Sequence, residues 1–179
     1  MSVRTLISRV ELDRRVRELA AEIARDCGSD ADLHVVCVLK GAFVFMSDLV
    51  RALELPLTLD FMAVASYGMH TTSSGEVRVV KDLDTALEGR DVLIVEDIVD
   101  SGLTLHYLQE IIRARGPRSV RTVCLLNKPA RRTVEVCVEY IGFDIDDHFV
   151  VGYGLDFGER YRNLPDLVVL DRDAAPPAG

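Results

Sequence analysis

Between Asp91 and Leu126 the chain passes through an apolar segment, an amphipathic segment and a second apolar segment, and that order constrains the sheet it can join. Asp91 to Val95 and Val120 to Leu126 are short and almost continuously apolar, so each reads as a strand buried on both faces. Thr104 to Arg115, closed by Gly116, reads as the helix between them. A strand that returns through a helix to a neighbouring strand lies parallel to it. The unit is βαβ, and the expected fold is an α/β domain, a central parallel twisted sheet flanked by helices.

The flanking sequence extends the pattern. Residues 8–27 read as a helix: Ser8 and Glu11 have capping-box spacing, Val10, Val16, Leu19, Ala20, Ile23 and Ala24 recur largely on one face, and Gly28 ends it. His34 to Leu39 reads as a strand stopping at Lys40-Gly41, and Ala42 to Leu53 as a second helix. Leu57 to Ser66 is a strand with a polar break at Asp60, and Glu76 to Lys81 returns as another. Between them Tyr67 to Gly75 has the small, polar composition of a mobile loop. The last third reads as strands at 133–140, 149–153 and 167–171, an appended β-rich lobe on a single domain of residues 1–172; residues 173–179 read as a flexible tail.

Composition narrows the function classes. The 179 residues carry a net charge of -8, from 21 Lys+Arg against 29 Asp+Glu, which disfavours a nucleic-acid partner. No apolar run reaches the 18 or so residues of a membrane helix and no signal peptide is visible, so a membrane partner is not expected. Of the four cysteines, Cys37, Cys124 and Cys137 sit in apolar runs without C-x-x-C spacing, which suits reduced thiols and the cytoplasm.

The chemistry concentrates after the strand Val92-Leu93-Ile94-Val95, which runs directly into Glu96-Asp97. Asp100 follows, then Ser101-Gly102-Leu103-Thr104 at a helix start. In open α/β sheets ligands bind beyond the carboxyl ends of the strands, where this loop falls. Ser101, Gly102 and Thr104 suit a phosphate, because hydroxyls and unhindered N–H groups at a helix N-terminus favour an anion. Glu96 and Asp97 suit hydroxyls or a hard cation such as Mg²⁺. A phosphorylated sugar satisfies the whole loop. An ordinary helix N-cap would account for Asp100 or Ser101 but not for paired acids ending an apolar strand.

These thirteen residues, 92–104, resemble the phosphoribosyl diphosphate (PRPP) signature of type I phosphoribosyltransferases, and most of the chain resembles the hypoxanthine-guanine phosphoribosyltransferases. Leu39-Lys40-Gly41 resembles that family's diphosphate-binding loop, with a cis Leu39-Lys40 peptide implied. Ser66-Tyr67 resembles the start of its catalytic lid. Lys128, the run Phe149-Val150-Val151-Gly152-Tyr153-Gly154-Leu155-Asp156, and Arg162-Asn163-Leu164-Pro165 resemble its purine-binding hood, which would be built mainly from residues 128–165 with N-terminal residues. The resemblance implies a PRPP site of Lys40, Gly41, Glu96, Asp97, Asp100, Ser101, Gly102, Leu103, Thr104 and Arg162, and a purine site of Lys128, Phe149, Val150 and Asp156. It also implies Mg²⁺ on Glu96, Asp97 and Asp156, and a homodimer or homotetramer.

The implied reaction is purine salvage, in which N9 of hypoxanthine or guanine displaces diphosphate from C1 of PRPP. Residue chemistry agrees: Lys128 can donate to a C6 carbonyl, Phe149 offers a stacking face, and the family assigns catalytic proton transfer at N7 to the aspartate matching Asp100. Taken singly, Lys128 would read as a solvated lysine, Phe149 and Val150 as strand core, and Asp156 as a turn residue. Another base, xanthine included, or a PRPP-sensing regulatory protein are the competing readings. The chain has no P-loop, its glycines miss the dinucleotide fingerprint, and its four histidines lack metal spacing.

Overall fold

The computed structural model describes residues 3–28, 30–67 and 76–170. Its elements run β1 (Val3–Ile7), α1 (Arg9–Cys27), β2 (Leu33–Leu39), α2 (Phe43–Ala52), β3 (Leu57–Tyr67), β4 (Glu76–Lys81), β5 (Asp91–Val99), α3 (Leu103–Arg113), β6 (Ser119–Asn127), a 3₁₀ turn (Pro129–Arg131), β7 (Tyr140–Asp144), β8 (Val150–Val151) and β9 (Leu167–Leu170). Residues 68–75, which carry most of the expected loop, and the expected tail 173–179 lie outside the described residues.

Six strands form the main sheet in the order β4-β3-β2-β5-β6-β7. Every adjacent pair is parallel except β3 with β4, as the βαβ pattern requires for the centre. Helices cover both faces. One core packs Leu12, Val16, Leu19 and Ile23 of α1 and Phe45 and Leu49 of α2 against Val35, Leu93 and Val123. The other packs Leu105, Leu108 and Ile112 of α3 against Val36, Ile94 and Cys124. Alternate residues of β2 and β5 therefore feed opposite cores, the period-2 geometry of a strand buried on both sides. A second, antiparallel sheet, β1-β9-β8, carries the residues around Phe149.

The Ser8–Glu11 capping box is present in full, with Glu11 N–H on Ser8 Oγ at 3.3 Å and Ser8 N–H on Glu11 Oε2 at 2.9 Å. Val10, however, is 78% exposed; Leu12 takes the buried place on that face. The strand expected at 133–140 is also absent: only Tyr140 belongs to a strand, β7, which continues to Asp144. Residues 133–139 keep the alternating burial of a strand, with Val136 and Val138 packed on the α3 core, but not its ladder. Their backbone pairs elsewhere instead, Thr133 N–H with Ser101 O (2.9 Å) and Cys137 O with the Gln109 amide (2.7 Å). The expected 149–153 strand is reduced to Val150–Val151, and β1 had no sequence signal strong enough to be expected.

Candidate active site

The chain leaves β2 to one side for β3 and later places β5 on the other side of β2, so the strand order reverses between β2 and β5. A crevice opens at such a switch point beyond the carboxyl ends of the two strands. Lys40-Gly41 leaves β2 there, joined to Leu39 by a cis peptide bond. β5 runs to Val99, further than its apolar run suggests, because Ile98 and Val99 stay in register with Leu126 and Asn127 of β6. Glu96 and Asp97 are therefore strand residues, and the loop proper is Asp100 to Gly102.

A cavity of about 300 Å³ occupies the crevice, lined by Lys40, Gly41, Glu96, Asp97, Asp100, Ser101, Gly102, Thr104, Asp156 and Arg162. Gly41 packs so tightly on Asp97 that a Cβ there would lie 1.6 Å from the carboxylate Oδ2. A Cβ on Gly154 would lie 2.3 Å from Gly41 O, so the segment after β8 docks directly on the loop after β2. Arg162 holds that junction: Nη1 donates to Gly154 O at 2.8 Å, and Nη2 meets Asp156 Oδ1 at 2.9 Å and Glu159 Oε1 at 3.2 Å. Glu159 in turn accepts from Lys40 Nζ at 2.8 Å. Leu103 is the exception in the expected set. It does not line the cavity, and its side chain is 47% exposed at the start of α3.

The paired acids are out of their ordinary range. Burial pushes the Asp97 carboxyl up to about 6, against the opposing pull of the Ile98 N–H and the Arg162 cation. Burial and the neighbouring Asp97 charge raise Glu96 well above a normal glutamate. Buried, mutually repelling carboxylates suit a hard cation, which would offset both terms. Among the described residues no three metal-ligating side chains stand together, so Mg²⁺ here would complete its shell from ligand oxygens and water.

A second cavity, about 270 Å³, adjoins the first, and Asp97, Asp100 and Asp156 line both. Its other walls are Lys128, Phe149, Val150, Ile98 and Leu155. Lys128 is buried at 7% exposure, with Nζ 3.3 Å from Asp147 Oδ1. Phe149 stays 40% exposed and meets Phe157 edge-on at 5.5 Å, which fixes its ring while leaving a face open. All four expected purine-site residues line this cavity. Ser66 and Tyr67 end β3, whose backbone alone is described there.

Sequence reasoning gave no site role to Ile98 or Leu155, and it missed the charged partners of three site residues: Asp147 for Lys128, Glu159 for Lys40 and Arg131 for Asp100. Spacing carries no signal for those pairs, since each joins separate elements.

The phosphoribosyl transferase domain model matches residues 8–158 of the chain. The hypoxanthine-guanine phosphoribosyltransferase of Bacillus subtilis is 51% identical over 167 residues, covering 93% of this chain and 92% of that protein. The chain belongs to the phosphoribosyltransferase family, on its hypoxanthine-guanine branch. The Dictyostelium discoideum hypoxanthine-guanine phosphoribosyltransferase is likewise 51% identical, over 170 residues and 94% of its length. A crystal structure of a Bacillus anthracis hypoxanthine-guanine phosphoribosyltransferase superimposes with a TM-score of 0.89 at 45% identity, covering 93% of this phosphoribosyltransferase and 98% of that chain.

Proposed function

We propose that this phosphoribosyltransferase takes PRPP as its Mg²⁺ complex and transfers the 5-phosphoribosyl group to N9 of hypoxanthine or guanine, giving IMP or GMP and diphosphate. One observation carries the reading: Asp100 lies in the wall shared by two adjoining cavities, one built for a phosphorylated sugar and the other for a flat base.

In this reading the 5-phosphate meets Ser101, Gly102 and Thr104 at the start of α3, while Glu96 and Asp97 face the ribose hydroxyls or the metal. Lys40 and Arg162 take the diphosphate oxygens, for which Glu159 is the counter-charge in the free protein. Asp97 and Asp156, both in the shared wall, would help hold Mg²⁺, whose charge would offset that of the leaving diphosphate. Lys128 donates to the C6 carbonyl and Phe149 stacks on the ring. As the C1–O bond breaks, positive charge grows on the ribose between Asp97, Asp100 and Asp156, whose carboxylates favour it. Asp100 accepts or shares the proton at N7 as N9 bonds to C1. Ser66 and Tyr67 open a lid that excludes competing water.

The protein works as a homodimer or homotetramer in the cytoplasm, a compartment that suits its free cysteines. None of its described helices is long and apolar enough to cross a membrane. The deciding assay supplies PRPP·Mg²⁺ with hypoxanthine, guanine, xanthine or adenine in turn. Nucleotide formation from the first two supports the reading, and turnover with none of them overturns it. Asp100→Asn should lose turnover by orders of magnitude while PRPP binding largely survives.

A further inference from the structure

Lys128 and Asp100 belong to different strand ends, yet the chain straps them together. Lys128 N–H donates to Val99 O at 3.0 Å, one residue before Asp100, and Thr133 N–H donates to Ser101 O at 2.9 Å, one residue after it. Between those two tethers the chain makes its 3₁₀ turn, Pro129–Arg131, closed by Arg131 N–H on Lys128 O at 3.1 Å. The turn brings the Arg131 side chain to Asp100 and Asp147. Its Nε lies 3.1 Å from Asp100 Oδ1, and its Nη1 lies 3.7 Å from Asp147 Oδ2. Asp147 Oδ1 is 3.3 Å from Lys128 Nζ. Four charged side chains of alternating sign thus run Asp100, Arg131, Asp147, Lys128, beginning at the residue assigned to proton transfer and ending at the one assigned to the C6 carbonyl.

We propose that Arg131 is a positioning residue for the transfer reaction: through one oxygen of Asp100 and the Asp147–Lys128 pair it sets the proton acceptor and the carbonyl donor at a fixed separation across the base. The proposal rests on the functional reading above. Stability alone gives little reason for the arrangement, because Arg131 and Asp100 are about half exposed and an ion pair in that setting contributes little to folding. Geometry gives a better one. Asp100 sits on a short loop, and Arg131 is its one hydrogen-bonding side-chain partner among the described residues. The bond occupies Oδ1 and leaves Oδ2 for the base. A planar guanidinium presents its donors to two carboxylates in a fixed fork, whereas an ammonium is a point charge on a flexible stem. Displacing a catalytic group by about an ångström can cost about 10²-fold in rate.

The experiment measures single-turnover nucleotide formation with hypoxanthine and PRPP·Mg²⁺, PRPP binding, and thermal stability. It uses Arg131→Ala, Arg131→Lys, Asp100→Asn and the Arg131→Ala/Asp100→Asn double variant. Arg131→Ala should slow the chemical step by about ten- to a hundredfold with PRPP affinity and melting temperature nearly unchanged. Arg131→Lys should recover part of the loss by restoring one donor to Asp100. In the Asp100→Asn background Arg131→Ala should add almost nothing, since residues acting through one another are not additive. A wild-type rate for Arg131→Ala, or full additivity in the double variant, overturns the proposal while leaving the transfer reading intact. A wild-type rate for Asp100→Asn overturns the acceptor assignment itself and the proposal with it.

Discussion

Gly41 and Asp97 compete for one volume: a Cβ on Gly41 would fall 1.6 Å from Asp97 Oδ2 and 2.6 Å from its Cγ. The glycine is what lets a carboxylate from the end of β5 stand against the loop leaving β2. Gly41→Ala must therefore push the Asp97 side chain out of its place in the wall shared by the two cavities. We expect a loss of about 10²-fold in kcat/KM for PRPP·Mg²⁺ with a much smaller effect on purine affinity. Equal losses for both ligands would mean that the loop itself had collapsed.

Glu159 neutralises Lys40 and Arg162, the cations assigned to the diphosphate in the proposed function. Its carboxylate is 2.8 Å from Lys40 Nζ and 3.2 Å from Arg162 Nη2, so an incoming anion has to displace it. Glu159→Gln should tighten diphosphate binding about two- to fivefold, the range expected for exposed pairs. The gain should shrink as salt is raised, because exposed charges are screened. Unchanged or weakened binding in titration calorimetry at low salt would show that Glu159 orients Lys40 instead of competing for it.

His34 gives the fold an acid-side weakness far from the site. It is fully buried, with Nδ1 2.7 Å from Thr58 Oγ1 and 3.0 Å from Arg90 Nη1. Arginine can only donate, so Nδ1 is an acceptor and the proton sits on Nε2, 3.9 Å from Asp60 Oδ2. Burial first, and then the Arg90 cation, hold the imidazole below its ordinary value. An unfolded histidine titrates near 6.5, so below that pH the unfolded chain binds the extra proton first. The contribution of neutral His34 is thus present above about pH 6.5 and lost as pH falls. Asp97 acts in the opposite sense, since a carboxyl raised to about 6 favours the fold on the acid side and loses that as pH rises. Comparing wild type with His34→Gln cancels Asp97. Between pH 7 and pH 5 the variant's melting temperature should fall less than that of the wild type. Parallel curves would remove His34 from the account.

What was legible in the sequence was whatever a local pattern encodes. The apolar runs of β2, β5 and β6 and the capping box of α1 each depend on neighbours a few residues away, and each formed where expected. The alternation at 133–139 misled for a physical reason: an extended segment lying on α3 buries every second side chain just as a strand does, and only its missing ladder tells them apart. Leu103 misled because the loop motif is continuous in sequence while the helix start turns one of its residues outward. The ion pairs that complete the site, Lys40–Glu159, Lys128–Asp147 and Asp100–Arg131, span 119, 19 and 31 residues and exist only once the sheet brings strand ends together.

Base selection should rest on Lys128. Its ammonium is buried, carries three donors and no acceptor, and among the described residues its ion-pair partner is Asp147 at 3.3 Å. A C6 carbonyl can accept from the remaining N–H groups. The amino group of adenine cannot, and it would set donor against donor beside a buried ammonium. A buried donor left unpaired in this way discriminates by about 10⁴ or more, so hypoxanthine and guanine should be good substrates and adenine a very poor one. Lys128→Gln is the informative change, because an amide of similar reach can rotate to accept as well as donate. The variant should lose kcat/KM for hypoxanthine and gain it for adenine, narrowing the ratio by at least about tenfold. Good use of adenine by the wild type, or an oxo-over-amino ratio untouched by Lys128→Gln, would show that selection is made elsewhere in the cavity wall.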